Sequence, residues 1–108
     1  MIYELRIYTT IPNRMPNLLK RFKEHTLPLW DKHGIRQVGF WTTLIGPSNL
    51  ELVYMLAWAS MTERQEKWDK FQVDPEWLQV WADSEKDGII VGNVASSFLK
   101  PTTFSALQ

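Results

Sequence analysis

Leu52-Val53-Tyr54-Met55-Leu56-Ala57-Trp58-Ala59 carries apolar side chains on both parities and no charge. The run is far too short to cross a bilayer, and apolar residues on both parities suit a strand buried on both faces. Any fold for this chain must cover that strand twice.

The neighbouring segments supply one cover. Ile2 to Thr10 alternates Tyr3, Leu5 and Ile7 with Glu4, Arg6 and Tyr8, which predicts a strand with one polar face. Pro12-Asn13 breaks it. Pro16 falls where a first helical turn tolerates proline, and Leu18, Phe22, His25 and Leu29 follow at spacings of four, three and four. The pattern predicts a long amphipathic helix closing at Gly34. Ile35–Ile45 and a strand from Leu50 to about Ala59 flank the turn cluster Gly46-Pro47-Ser48-Asn49, as in a β-hairpin. Ser60 to Glu63 and Thr62 to Gln65 both fit a capping box, opening a helix that buries Trp68 and Phe71. Asp74-Pro75 starts a second piece with Trp77, Leu78 and Trp81 on its apolar side, and Asn93 to Leu99 is a last strand before Pro101.

The order β-α-β-β-α(α)-β predicts an α+β fold of ferredoxin-like type, with a four-stranded antiparallel sheet and helices on one face, as a single domain over residues 1–108. Those helices cover only one side of the doubly apolar strand. The expected second cover is another copy of the same sheet, giving a sheet-to-sheet homodimer.

Twelve Lys and Arg balance twelve Asp and Glu with no run of like charge, so no nucleic-acid or anionic-membrane partner is expected. There is no cysteine for disulfides, thiolate chemistry or thiolate metal sites. Met1-Ile2-Tyr3-Glu4 reaches a charge at once with no signal-peptide pattern, so a soluble, cytoplasmic chain is expected.

Several short stretches carry a family resemblance: Tyr3-Glu4-Leu5-Arg6-Ile7-Tyr8, Glu24-His25-Thr26-Leu27-Pro28, Gly39-Phe40-Trp41, Asp74-Pro75-Glu76-Trp77 and Leu99-Lys100-Pro101-Thr102-Thr103-Phe104-Ser105. In this order, over nearly the whole chain, they resemble the NIPSNAP family of the dimeric α+β barrel superfamily. The resemblance implies a ferredoxin-like subunit that pairs its sheet with a second copy. Relatives in that superfamily include cofactor-independent monooxygenases, lactone isomerases, cyclases and haem-degrading enzymes, so fold analogy selects no single chemistry. Asn13 stands where the family usually has glycine, and Tyr54 and Leu56 where it often has His and Trp.

His25 is the most suggestive single residue, because the helical stripe points it at the sheet, where it is either a core histidine or a general base. Tyr54 is its candidate partner in moving a proton. Pro28 should kink the helix beside His25, since it cannot donate to the carbonyl of Glu24. Glu4, Arg6 and Tyr8 share one face of a central strand, so Glu4 and Arg6 must pair if buried; an ion-pair network at the dimer interface, or in a polar barrel interior, competes with a substrate-carboxylate site. Trp41, Trp58 and Arg64 are candidate ligand contacts. Gly39 leaves space beside Trp41, and Arg64 is either a salt bridge to the first helix or a carboxylate clamp at the cleft mouth.

His25 and His33 lack a carboxylate at ligand spacing, so no metal site is expected, and no cofactor either. A haem reading would need His25 as axial ligand. Three functions remain open: a cofactor-independent enzyme acting on a small apolar or aromatic molecule in the cleft between sheet and helices, a binding or sensing module with that cleft and no turnover, and a protein-interaction dimer.

Overall fold

A computed structural model describes every residue from Met1 to Gln108. Its elements are β1 (Ile2–Thr10), α1 (Met15–Arg21), a π-helical segment (Phe22–Thr26), α2 (Leu27–His33), β2 (Arg36–Thr42), β3 (Glu51–Trp58), α3 (Met61–Gln72), α4 (Pro75–Ser84) and β4 (Val91–Leu99). The strands form one antiparallel sheet in the order β2-β3-β1-β4, the ferredoxin-like arrangement the sequence predicts. No helix is long and apolar enough to cross a membrane.

Asn13 turns the chain from β1 into α1 at φ 72°, a left-handed conformation that asparagine tolerates better than most residues. The expected single helix is built in three pieces. Pro28 has no N–H, and its ring would press on the carbonyl one turn back in an α-helix; the chain takes a wider, π-helical turn just before it. Leu27 N–H bonds to the carbonyl of Phe22, five residues back, and the Thr26 hydroxyl donates to the Arg21 carbonyl at 3.3 Å. The extra residue rotates the buried stripe to Leu18, Arg21, Phe22, Thr26, Leu29 and Trp30. His25 is thereby turned away from the sheet.

α3 and α4 begin as their caps dictate. The Ser60 hydroxyl accepts from Glu63 N at 3.1 Å, and the Glu63 carboxylate accepts from Ala59 N at 3.2 Å. Asp74 accepts from Glu76 N at 2.9 Å, and it also receives Lys32 at 2.9 Å and His33 at 2.7 Å from the end of α2. That carboxylate staples two helices. Trp77 packs partly against the core, whereas Leu78 and Trp81, expected on the apolar side of α4, are exposed. α4 buries too narrow a stripe to hide all three.

On the helix side of the sheet, Leu52, Tyr54, Leu56 and Trp58 from β3 meet Leu18, Phe22, Leu29, Trp30, Trp68 and Phe71. Phe40 stacks on Tyr54 with ring centres 4.8 Å apart, and Phe22 meets both edge-on at 5.1 and 5.4 Å. Each such burial contributes roughly 1.5–3 kcal/mol. The opposite face has no helix on it. It presents Leu5, Ile7, Val53 and Met55 half-buried and Trp41 at 52% exposure, and at one end of it the buried Tyr3 of β1 donates its hydroxyl to the Gln108 carbonyl of the C-terminal tail. β4 is uncovered on both faces, its residues from Gly92 to Leu99 all exposed.

Candidate functional site

Strand register decides which way the polar row of β1 faces. Glu4, Arg6 and Tyr8 lie opposite Leu56, Tyr54 and Leu52 of β3 and opposite Phe98, Ser96 and Val94 of β4. They therefore share the face of Trp58 and the helices. Glu4, Arg6 and Tyr8 are expected from the sequence at the dimer interface or in a polar barrel interior; Glu4 and Arg6 do pair, but the row lies on the helix face, where its own chain covers it and α3 supplies a second cation.

The Glu4 carboxylate is fully buried and accepts from Arg6 Nη1 at 2.9 Å, Ser96 Oγ at 2.9 Å, Trp58 Nε1 at 3.1 Å and Arg64 Nε and Nη2 at 3.2 Å each. Burial opposes its ionisation, but the hydrogen bonds from Arg64 and Arg6 outweigh burial and hold its pKa below the usual carboxylate value. Arg64 is thus a salt-bridge residue to β1, not to the first helix. One carboxylate faces two guanidiniums, so the cluster keeps a net positive charge.

Arg6 joins this cluster to a phenol pair. Its Nε donates to the Tyr54 hydroxyl at 2.6 Å and its Nη2 to the Tyr8 hydroxyl at 3.2 Å, while Tyr54 donates to Tyr8 at 2.9 Å. The guanidinium lies 4.8 Å from the centre of the Trp68 ring. Burial works against the Arg6 charge, yet Tyr54, Tyr8 and Glu4 raise its pKa above the ordinary arginine value. Burial likewise pushes the Tyr54 phenol well above 10, Tyr8 adding to the effect and Arg6 opposing it. Tyr54 is a neutral hydrogen-bonding group at physiological pH and no proton acceptor.

The remaining expected residues do not converge here. His25 lies on the outer surface at 51% side-chain exposure, with Nε2 4.0 Å from the Glu24 carboxylate, so the inward general base and the axial haem ligand are both corrected. The widened turn is the reason. Trp41 lies on the open face, and a Cβ on Gly39 would meet its ring at 2.8 Å, so the indole itself fills the space beside that glycine. Trp58 is fully buried with its N–H committed to Glu4, and belongs to the core rather than to a ligand wall.

Three residues at this site were not singled out from sequence: Ser96, Phe98 and Trp68 as a partner of Arg6. Arg64 lies 5.4 Å from the Phe98 ring, at the flank where β4 has no helix over it. Their only signal was the pairing of β4 with β1. With the Ser96 hydroxyl spent on Glu4, the donors left are second N–H groups of Arg6 and Arg64 and the Tyr8 O–H, beside the aromatic surface of Trp68 and Phe98.

Residues 3–106 match the NIPSNAP family. The chain belongs to the NIPSNAP family. A NIPSNAP family protein of unknown function from Agrobacterium tumefaciens is 29% identical and superposes with a TM-score of 0.87, with 100% of this chain and 94% of that chain covered. A second Agrobacterium tumefaciens NIPSNAP protein is 26% identical with a TM-score of 0.87, covering 99% of this chain and 98% of that one. A candidate antibiotic biosynthesis monooxygenase from Nitrosomonas europaea is 8% identical with a TM-score of 0.65, covering 94% and 98%, and shares the fold alone. No curated protein matches the chain. In this NIPSNAP chain, Tyr54 occupies its position as an acceptor for Arg6 and a donor to Tyr8.

Proposed function

We propose that this NIPSNAP protein is a homodimeric binding module that takes a small aromatic molecule bearing a hydrogen-bond acceptor into the cleft between sheet and helices, at the β4 flank. One observation carries the reading: β4 is uncovered on its helix side, so Ser96 and Phe98 border the donor row of Arg6, Tyr8 and Arg64. Phe98 and Trp68 supply faces for a flat ring. The excess positive charge of two arginines on one carboxylate favours an electron-rich acceptor over a cation.

Binding is favoured over turnover by the state of the titratable groups. Glu4 is held ionised by its donors and is a poor base, Tyr54 is held neutral, and His25 is outside the cleft. The homodimer part of the reading rests on the open sheet face and its rim. Leu5, Ile7, Val53 and Met55 are half-buried without a covering element, and Leu44 and Ile45 in the β2–β3 loop are 95% and 94% exposed.

The test is tryptophan fluorescence titrated with naphthol and naphthoate, in the native protein and in Phe98→Ala. Saturable quenching that weakens roughly ten-fold in Phe98→Ala is expected for the loss of one stacking face. No saturable response to either compound, or equal affinity in the variant, contradicts the reading.

A further inference from the structure

On the far side of Tyr8, α1 and the π-helical segment pack against α4 and leave a groove of about 300 Å³. Arg14, Lys20 and Arg21 come from one wall, Ser84 and Lys86 from the other, and Ile90 closes the floor. Arg21 is 7% exposed. Its Nη1 donates to the Ser84 hydroxyl at 3.2 Å and its guanidinium lies 5.7 Å from the Trp77 ring centre, but its Nε is buried with no hydrogen-bond partner. Arg14 donates through Nη2 to the carbonyls of Ser84 and Gly88 at 3.3 and 3.2 Å, and its Nε is likewise buried and unpaired.

Neither guanidinium has a carboxylate within 4 Å, although every other arginine of the chain does. Glu24, Asp83 and Asp87 lie on the groove's lining without pairing with either. Their direct partners are the carbonyls of Ser84 and Gly88 and the Ser84 hydroxyl, and the carboxylates of Glu24, Asp83, Asp87 and Glu85 compensate them only from beyond 4 Å. Burial accordingly pushes the Arg21 pKa below its ordinary value, Arg14 adds to that effect, and Tyr8 and Glu85 oppose it. Native structures rarely leave buried N–H groups unmatched; a water or an ion completes them, and beside a buried cation an anion satisfies the donor and the charge together. The groove is larger than a bare ion needs, so the ion would be the head of a molecule.

We infer that the groove between α1 and α4 is a second binding site, taking the oxyanion of a small organic acid or phosphate monoester on Arg14 and Arg21. It shares no lining residue with the β4 flank, so the two sites stand or fall separately. Arg14 and Arg21 each keep an uncommitted Nε–H on a planar guanidinium suited to an oxyanion, and Lys20 and Lys86 add charge to the lining.

The experiment is two-dimensional NMR of the full chain titrated with inorganic phosphate, phenyl phosphate and benzoate, read at the Arg Nε–Hε signals and the backbone amides. The expected result is saturable shifts of the Arg21 Nε–Hε signal and of amides near Arg14 and Ser84, with those of Val94 to Phe98 unmoved. Stronger shifts with the phosphates assign a phosphate monoester, and stronger shifts with benzoate a carboxylate. Arg14→Gln should weaken the binding roughly ten-fold; Lys20→Gln, on the exposed rim, should weaken it a few-fold in a protein whose fold is not at risk. Absence of saturable shifts with all three probes overturns the proposal. So does binding unchanged in both variants.

Discussion

Arg64 on α3 places Nε 3.2 Å from Oε1 and Nη2 3.2 Å from Oε2 of Glu4, locking a helix to the central strand across sixty residues of chain. Removing the carboxylate leaves Arg6 and Arg64 facing each other without compensation. Glu4→Gln should lower the urea-unfolding stability by about 3 kcal/mol, the scale of breaking a buried ion pair. The depressed Glu4 pKa sets the sign with pH: its contribution is present above the unfolded value near 4.5 and is lost as pH falls toward the folded one. The loss of stability between neutral pH and acid should therefore be smaller in Glu4→Gln than in the native chain.

Arg6 and the open sheet face make opposite predictions about assembly. Because Arg6 faces the helices, Arg6→Met should destabilise the fold while leaving dimer dissociation unchanged. Met55→Asp, on the open face, should shift the sedimenting species toward the 12.7 kDa chain. Sedimentation in which Arg6→Met dissociates and Met55→Asp does not would reverse the assignment of faces.

Asp74 holds the end of α2 to the start of α4, and Lys32 first, then His33 and Glu76 N–H, keep its carboxyl well below the usual range. A depressed carboxylate stabilises the fold above its unfolded pKa and ceases to do so as pH falls through the folded one. Asp74→Asn should lower the melting temperature at pH 7, and the gap to the native chain should narrow below pH 4. A gap that widens in acid contradicts the staple.

Tyr54 titrates in the opposite sense. Its raised pKa contributes stability below the unfolded value near 10, and this is lost as pH rises through the folded one. Ultraviolet titration should find one of the three tyrosines ionising only as the chain unfolds in alkali, and Tyr54→Phe should remove that late component. The same substitution should cost about 1–3 kcal/mol by stranding the Arg6 Nε–H.

The order of elements was legible because each carried its own local signal: alternation in Ile2–Thr10, the Ser60 and Asp74 caps, and Gly34, which ends α2 at φ 70°. The charged row on β1 was legible as buried and paired, since Glu4 and Arg6 sit on a central strand. Its direction was not, because alternation gives two faces without saying which one the helices cover. His25 failed for a different reason. A 3.6-residue period assumes an uninterrupted α-helix, and the π-helical turn before Pro28 passes the buried position from His25 to Thr26 while Leu18, Phe22 and Leu29 keep theirs. The sites at Phe98 and at Arg21 depend on contacts between segments far apart in sequence, and no local pattern reports those.

The measurement closest to the central claim is native mass spectrometry of freshly purified protein with naphthoate added, for the native chain and Phe98→Ala. The expected spectrum is a dimer of the 12.7 kDa chain carrying naphthoate, with the dimer intact but the adduct depleted in Phe98→Ala. A bare monomer, or an adduct equally populated in both proteins, would contradict it.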